Sequence, residues 1–199
     1  MIYLCEDMAS TLPAEIWSTL PPQRRAKAMR YRRPLQQRQS ALAYLMLRYG
    51  LLKEYGIYLS ADLELTAEGK PVLRAYRDVY ISISHCDQAV AVVIANRPIG
   101  IDVESICRYD NAVAQRCCSD EQMQLIASAT DPGRCFTQLW TMKESQIKLL
   151  GKAPADLRAL PSPTARFFTV DRGSYLLSTC SDTAPLHPLC ELTVRDVSP

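Results

Sequence analysis

The chain has 199 residues, 48% of them hydrophobic and 22% charged, with 23 basic and 21 acidic side chains for a formal net charge of +2. This is ordinary globular usage, which excludes a disordered or fibrous chain, and the length allows one full domain or two small ones. Glu6 and Asp7 stand where a secretory leader carries basic and then apolar residues, and the longest aliphatic run, 89–95, is far short of the ~20 residues of a membrane span. A soluble cytoplasmic protein with no membrane partner is expected.

Residues 2–5 read as a strand. Pro21-Pro22 suits a helix start before the basic stretch QRRAKAMRY. Pro34 leads a longer helix to about Tyr55, with Leu35, Leu42, Leu45, Met46, Tyr49 and Leu52 at helical spacing and Gly56 as the stop. Between Pro21 and Arg48 stand eight basic residues (Arg24, Arg25, Lys27, Arg30, Arg32, Arg33, Arg38, Arg48) and no acid. Such a run is either a solvated face or the footprint of an anion. Lacking interleaved aromatics or a nucleic-acid motif, it favours a phosphorylated small molecule over nucleic acid.

Strands near 63–66 and 72–73 flank the turn Glu68-Gly69-Lys70-Pro71. The β-branched runs 79–84 and 89–95 are joined by His85-Cys86-Asp87-Gln88, and 99–104 follows the break Asn96-Arg97-Pro98 as another strand. Ser119-Asp120-Glu121-Gln122 is a capping box for a short helix, and Asp131-Pro132 opens a longer one ending at Gly151. Strands are expected at 167–170, 175–180 and 189–194. The irregular alternation predicts an α+β fold, with a division at the midpoint into 1–97 and 98–199. Eight cysteines with no CxxC and no regular spacing read as reduced core residues.

Three clusters carry chemistry. In Gly100-Ile101-Asp102-Val103-Glu104, the strand period puts Asp102 and Glu104 on one face. They are either two solvated acids or a pair that a hard cation such as Mg²⁺ holds together. In WTMKESQIK, Trp140, Glu144 and Lys148 share a helix face with Lys143 beside them. That is either a surface ion pair or a general base flanked by lysines next to a polyphosphate. In Ser82-Ile83-Ser84-His85, the histidine is either a turn residue or a phosphate donor.

SISH, then PIGIDVE about fifteen residues on, then LWTMKESQIKLLGK about forty further, resemble the 4′-phosphopantetheinyl transferases of the surfactin-synthetase-activating type. The family signatures GxD and WxxKExxxK are both present, and the resemblance covers about residues 20–152. It implies transfer of the phosphopantetheine arm of coenzyme A to a serine of an apo acyl or peptidyl carrier protein, with release of 3′,5′-ADP. The alternative is a non-catalytic coenzyme A or carrier-binding module of the same fold. The implied fold is a pseudo-dimer of two similar α+β halves in a monomer.

By motif position, Asp102, Glu104 and Glu144 would gather Mg²⁺. Glu144 would take the serine proton, Lys148 would stabilise the leaving diphosphate, and Lys143 would assist. Arg24, Lys27, Arg38 and His85 would hold phosphate, with Ser84, Gly69 and Lys70 lining the nucleotide site. Where many members place a further acid this chain has Gln122, whose alternatives are a carbonyl ligand, replacement by Glu121, a water, or a purely structural cap.

Overall fold

The computed structural model describes residues 1–8, 12–58, 63–73, 75–107, 109–183 and 188–198. In chain order the elements are β1 (Ile2–Cys5), α1 (Ala14–Thr19), α2 (Pro22–Met29), α3 (Pro34–Tyr55), β2 (Glu64–Leu65), β3 (Pro71–Val72), β4 (Tyr80–Cys86), β5 (Ala89–Ala95) and β6 (Gly100–Ser105). Then come α4 (Asn111–Cys117), α5 (Asp120–Ser128), α6 (Pro132–Leu150), a 3₁₀ turn at Leu157–Ala159, β7 (Arg166–Asp171), β8 (Tyr175–Ser181) and β9 (Leu189–Glu191). The class is α+β.

Beyond the β2–β3 hairpin there are two sheets among the described residues, ordered β4-β5-β1-β9 and β6-β8-β7. β5 lies inside the first and is buried along its whole length, so AVAVVIA is apolar on both faces. Its Val90, Val92 and Ile94 pack with α3, whereas Ala89, Ala91, Val93 and Ala95 pack with Ile99 and with Ile101 and Val103 of the second sheet. Small alanines let the two sheets approach. Each sheet carries one long helix: α3 lies on β5, and α6 lies on β6 and β8.

The termini of the long helices follow from sequence chemistry. Gly56 and Gly151 close α3 and α6 at φ +64° and +80°, a region that only glycine enters freely, and their N–H groups cap carbonyls of the last turn. Asp131 caps α6 by accepting from the Arg134 N–H at 2.9 Å. The Ser119 capping box forms, with Gln122 Oε1 accepting from the Ser119 N–H at 3.1 Å.

Some elements differ from expectation. α1 and α4 are helices in stretches for which the sequence suggests no element; α4 is announced only by Asp110, whose carboxylate caps Ala112 and Val113. The strand expected at 189–194 is confined to Leu189–Glu191, and Thr193 N–H turns onto Asp196 Oδ2 instead. β9 pairs in parallel with β1, and Leu192, Val194 and Val197 join the core under α3, so the chain's last segment packs with its first.

All eight cysteines are free, five of them buried. No helix among the described residues is long and apolar enough to cross a membrane.

Candidate active site

β6 builds the site because its alternate residues face opposite layers. Ile101 and Val103 enter the inter-sheet core, so Gly100, Asp102 and Glu104 face α6. A Cβ on Gly100 would stand 1.9 Å from the Ser145 carbonyl oxygen and 2.5 Å from the Leu149 nitrogen. Glycine here is therefore what lets helix and strand backbones touch. That close approach brings Lys148 Nζ to 2.7 Å from Asp102 Oδ1, and Trp140 Nε1 to 3.2 Å from Glu104 Oε1. The tryptophan thus orients Glu104, the strand acid, through its indole N–H.

β4 lies beside β6, and its serines complete the joint. Ser82 Oγ accepts from the Ile101 N–H at 3.1 Å, and Ser84 Oγ accepts from the Val103 N–H at 3.2 Å. Ser84 Oγ also donates to Asp102 Oδ1 at 2.8 Å and accepts from Lys148 Nζ at 2.8 Å. Asp102 is 3% exposed, and its Oδ2 is buried with no hydrogen-bond partner among the described residues.

The acids repel one another. Burial first, then Asp102, pushes the Glu144 carboxyl above its ordinary value, and Lys148 only partly offsets this. Glu104 is raised by burial, then by Asp102, with Glu144 adding a smaller push. His85 feels the same centre: desolvation, then Lys148, pushes its imidazole below 6.5.

Among the described residues no group of three or more His, Cys, Asp and Glu side chains forms a ready-made metal cage. The donor set nevertheless fits an ion such as Mg²⁺, which needs one or two carboxylates and completes its shell with waters and substrate oxygens. A buried carboxylate oxygen without a partner among the described residues, beside two acids whose protonation is favoured by burial and then by Asp102, is what such an ion would relieve.

Next to this centre is a cleft of about 300 Å³ lined by Glu68, Gly69, Lys70 and Pro71 of the β2–β3 hairpin, Ser82 and Ile83 of β4, and Ile147, Lys148 and Gly151 at the end of α6. Lys70 Nζ donates to the Leu149 carbonyl at 3.0 Å, placing a cation on the C-terminal end of α6.

Other expected site residues stand elsewhere. Lys143 is fully buried and turns away from the acids; its ammonium donates to the carbonyls of Leu157 (3.0 Å) and Leu160. Gln122 Nε2 donates to the same Leu160 carbonyl at 2.8 Å, so its amide serves the capping box and this loop, while Glu121 accepts from Ser119 Oγ. Arg38 donates to the Asp7 carbonyl and lies 3.4 Å from Asp7 Oδ1. Arg24 stacks 4.6 Å over the Tyr44 ring, between α2 and α3. Arg24, Lys27 and Arg38 are not among the residues lining the cleft. Sequence reasoning missed the Ser82–Ser84 joint, although the alternation of two serines on a strand of apolar residues was its visible sign.

Acids and a lysine at the edge of a cleft are equipment for handling a charged phosphoryl group. Residues 98–196 match the 4′-phosphopantetheinyl transferase superfamily. The chain is similar to the 4′-phosphopantetheinyl transferase psf-1 of Bacillus pumilus, 32% identical over 133 residues that make up 65% of this chain and 57% of the relative. It is 36% identical over 86 residues to the 4′-phosphopantetheinyl transferase gsp of Aneurinibacillus migulanus, covering 42% of this chain and 35% of the relative. With the 4′-phosphopantetheinyl transferase Sfp of Bacillus subtilis it shares 28% identity over 155 residues, covering 76% and 69%. These matches place residues 98–196, about half of the chain, in the 4′-phosphopantetheinyl transferase superfamily. The chain spans about a third to just over half of the length of the first two relatives.

Proposed function

We propose that this protein transfers the 4′-phosphopantetheine arm of coenzyme A to a serine hydroxyl of an apo carrier protein, with Mg²⁺, releasing 3′,5′-ADP. The observation that carries the reading is the Asp102–Lys148 centre, with Glu104 and Glu144 beside it, at the edge of the cleft. Asp102 and Glu144, with Glu104, would hold the cation, which when bound supplies charge neutralisation at the pyrophosphate.

The chain's own groups do the rest. Glu144, half-buried on α6, would take the proton of the serine hydroxyl. Lys148 offers its ammonium to the charge that develops on the leaving 3′,5′-ADP. Gly69 and Lys70 would hold the nucleotide from the far wall of the cleft. His85, whose imidazole desolvation and then Lys148 hold below its ordinary value, would give a phosphate a hydrogen bond. Arg24, Lys27 and Arg38 would add positive potential from the N-terminal half.

The two halves, 1–97 and 98–199, are read as the nucleotide side and the metal side of one monomer. Free cysteines support a reducing, cytoplasmic setting. The test is incubation with Mg²⁺, coenzyme A and a panel of apo carrier proteins, with 3′,5′-ADP quantified by chromatography. Release in step with carrier modification is expected; saturable coenzyme A binding without release would leave a binding module instead.

A further inference from the structure

The two oxygens of Asp102 have unlike surroundings. Oδ1 accepts from the Ser84 hydroxyl and from Lys148, at 2.8 and 2.7 Å, whereas Oδ2, also buried, has no partner among the described residues. A hydroxyl offers one proton and two lone pairs. Ser84 uses all three, toward Asp102 Oδ1, the Val103 N–H and Lys148 Nζ, and the residue is 7% exposed. Nothing is left over with which this hydroxyl would hold a ligand. It is anchored to the backbone of the strand that carries Asp102, so it fixes the carboxylate relative to that strand.

Ser82 supplies an internal comparison. Its hydroxyl accepts from the Ile101 N–H at 3.1 Å, the same joint two residues earlier. The β6 residue before Ile101 is Gly100, so no carboxylate precedes that joint as Asp102 precedes Val103. Ser82 therefore joins the strands, while Ser84 joins them and grips an acid.

We propose that Ser84 is a positioning residue: with Lys148 it holds Asp102 Oδ1 and so keeps Oδ2, beside Glu104 and Glu144, turned toward a divalent cation. This rests on the transferase reading of the site and departs from the nucleotide-lining role that the family resemblance implied for Ser84. Partners that orient a metal-ligating carboxylate typically change metal affinity by about 10–100-fold when removed.

The experiment titrates the full chain with Mn²⁺ alone, following free Mn²⁺ by electron paramagnetic resonance, and separately with coenzyme A in the presence of EDTA by calorimetry. Ser84→Ala is expected to weaken Mn²⁺ binding about tenfold or more, with the coenzyme A affinity within about twofold of the parent. Ser82→Ala should shift Mn²⁺ binding less than about twofold, and Ser84→Thr, which keeps the hydroxyl, should restore most of it. Should Ser84→Ala fail to fold, the near-isosteric Ser84→Cys carries the test, with Mn²⁺ binding at least about threefold weaker.

Unchanged Mn²⁺ affinity in the folded Ser84 variants, equal losses in the Ser82 and Ser84 variants, or a loss confined to coenzyme A would overturn the proposal. A parent protein that binds coenzyme A but no Mn²⁺ also overturns it and leaves the transferase reading standing, whereas binding of neither overturns both.

Discussion

Gly100 decides whether the site can exist. With the Ser145 carbonyl oxygen 1.9 Å from where a Cβ would stand, and a second backbone atom, the Leu149 nitrogen, at 2.5 Å, the obstruction is rigid. Gly100→Ala must push α6 off β6 and so separate Lys148 from Asp102. The expected outcome is a loss of about 3 kcal/mol or more of stability, at the upper end of overpacking costs, together with loss of transfer by whatever protein folds. Urea denaturation checks the first part, and a variant as stable as the parent would contradict it. The glycine and the acids two and four residues later were legible in the sequence, because strand alternation alone puts 100, 102 and 104 on one face. Trp140's partner was not legible, since its indole reaches an acid on another element, Glu104. The unequal treatment of the two Asp102 oxygens was equally hidden, because it depends on a hydroxyl from β4.

At the scale of elements, α6 turns neighbouring lysines to different tasks. Lys148 points to the strand acids, whereas Lys143 points the other way, into the 157–160 turn. Burial pushes the Lys143 pKa down, and two backbone carbonyls are the acceptors that keep its ammonium in place. Lys143→Met should lower the melting temperature, while folded enzyme keeps kcat and the KM for coenzyme A within about threefold of the parent. Lys148→Met should lower kcat by about a hundredfold, the scale of one electrostatic contact to developing charge. Equal losses of kcat in both variants, measured by steady-state 3′,5′-ADP release, would contradict the division. Helical spacing showed that Trp140, Glu144 and Lys148 share a face. It did not show that the adjacent lysine is swallowed by a loop, because that loop lies beyond the helix and carries no periodic signal. The short helices α1 and α4 escaped for a related reason: six and seven residues give too little periodicity to read.

In the whole molecule, the layers are closed at one side by charge. Arg172, in the turn after β7, donates to Glu6 Oε2 at 2.6 Å and to Glu191 Oε1 at 2.7 Å, and Tyr175 donates to Glu6 Oε1 at 2.6 Å. This ties the β7–β8 hairpin to the ends of β1 and β9. Arg172, with Tyr175, holds the Glu6 carboxyl below its ordinary value. A depressed folded-state pKa gives stability that is complete above the unfolded value, about 4.3 for glutamate, and disappears as pH falls through the lower folded value. Partial exposure keeps the contribution below about 1 kcal/mol. Thermal unfolding should therefore show the parent more stable than Arg172→Met at pH 7, with the gap narrowing below pH 4; a gap that stays constant or widens in acid would contradict it. The long helices α3 and α6 and most of the strands were readable along the chain. The return of β9 to β1 was not, because a three-residue strand pairing across the whole length leaves no local trace.

The central claim is that the acids facing α6 drive phosphopantetheine transfer. The most direct measurement is the intact mass of an apo carrier protein after incubation with coenzyme A, Mg²⁺ and either the parent or Glu144→Gln. The parent should add one phosphopantetheine arm to the carrier serine, and the variant should do so at least about a hundredfold more slowly, as expected for loss of a general base. A carrier panel left unmodified by the parent, or modified equally fast by Glu144→Gln, would contradict the account.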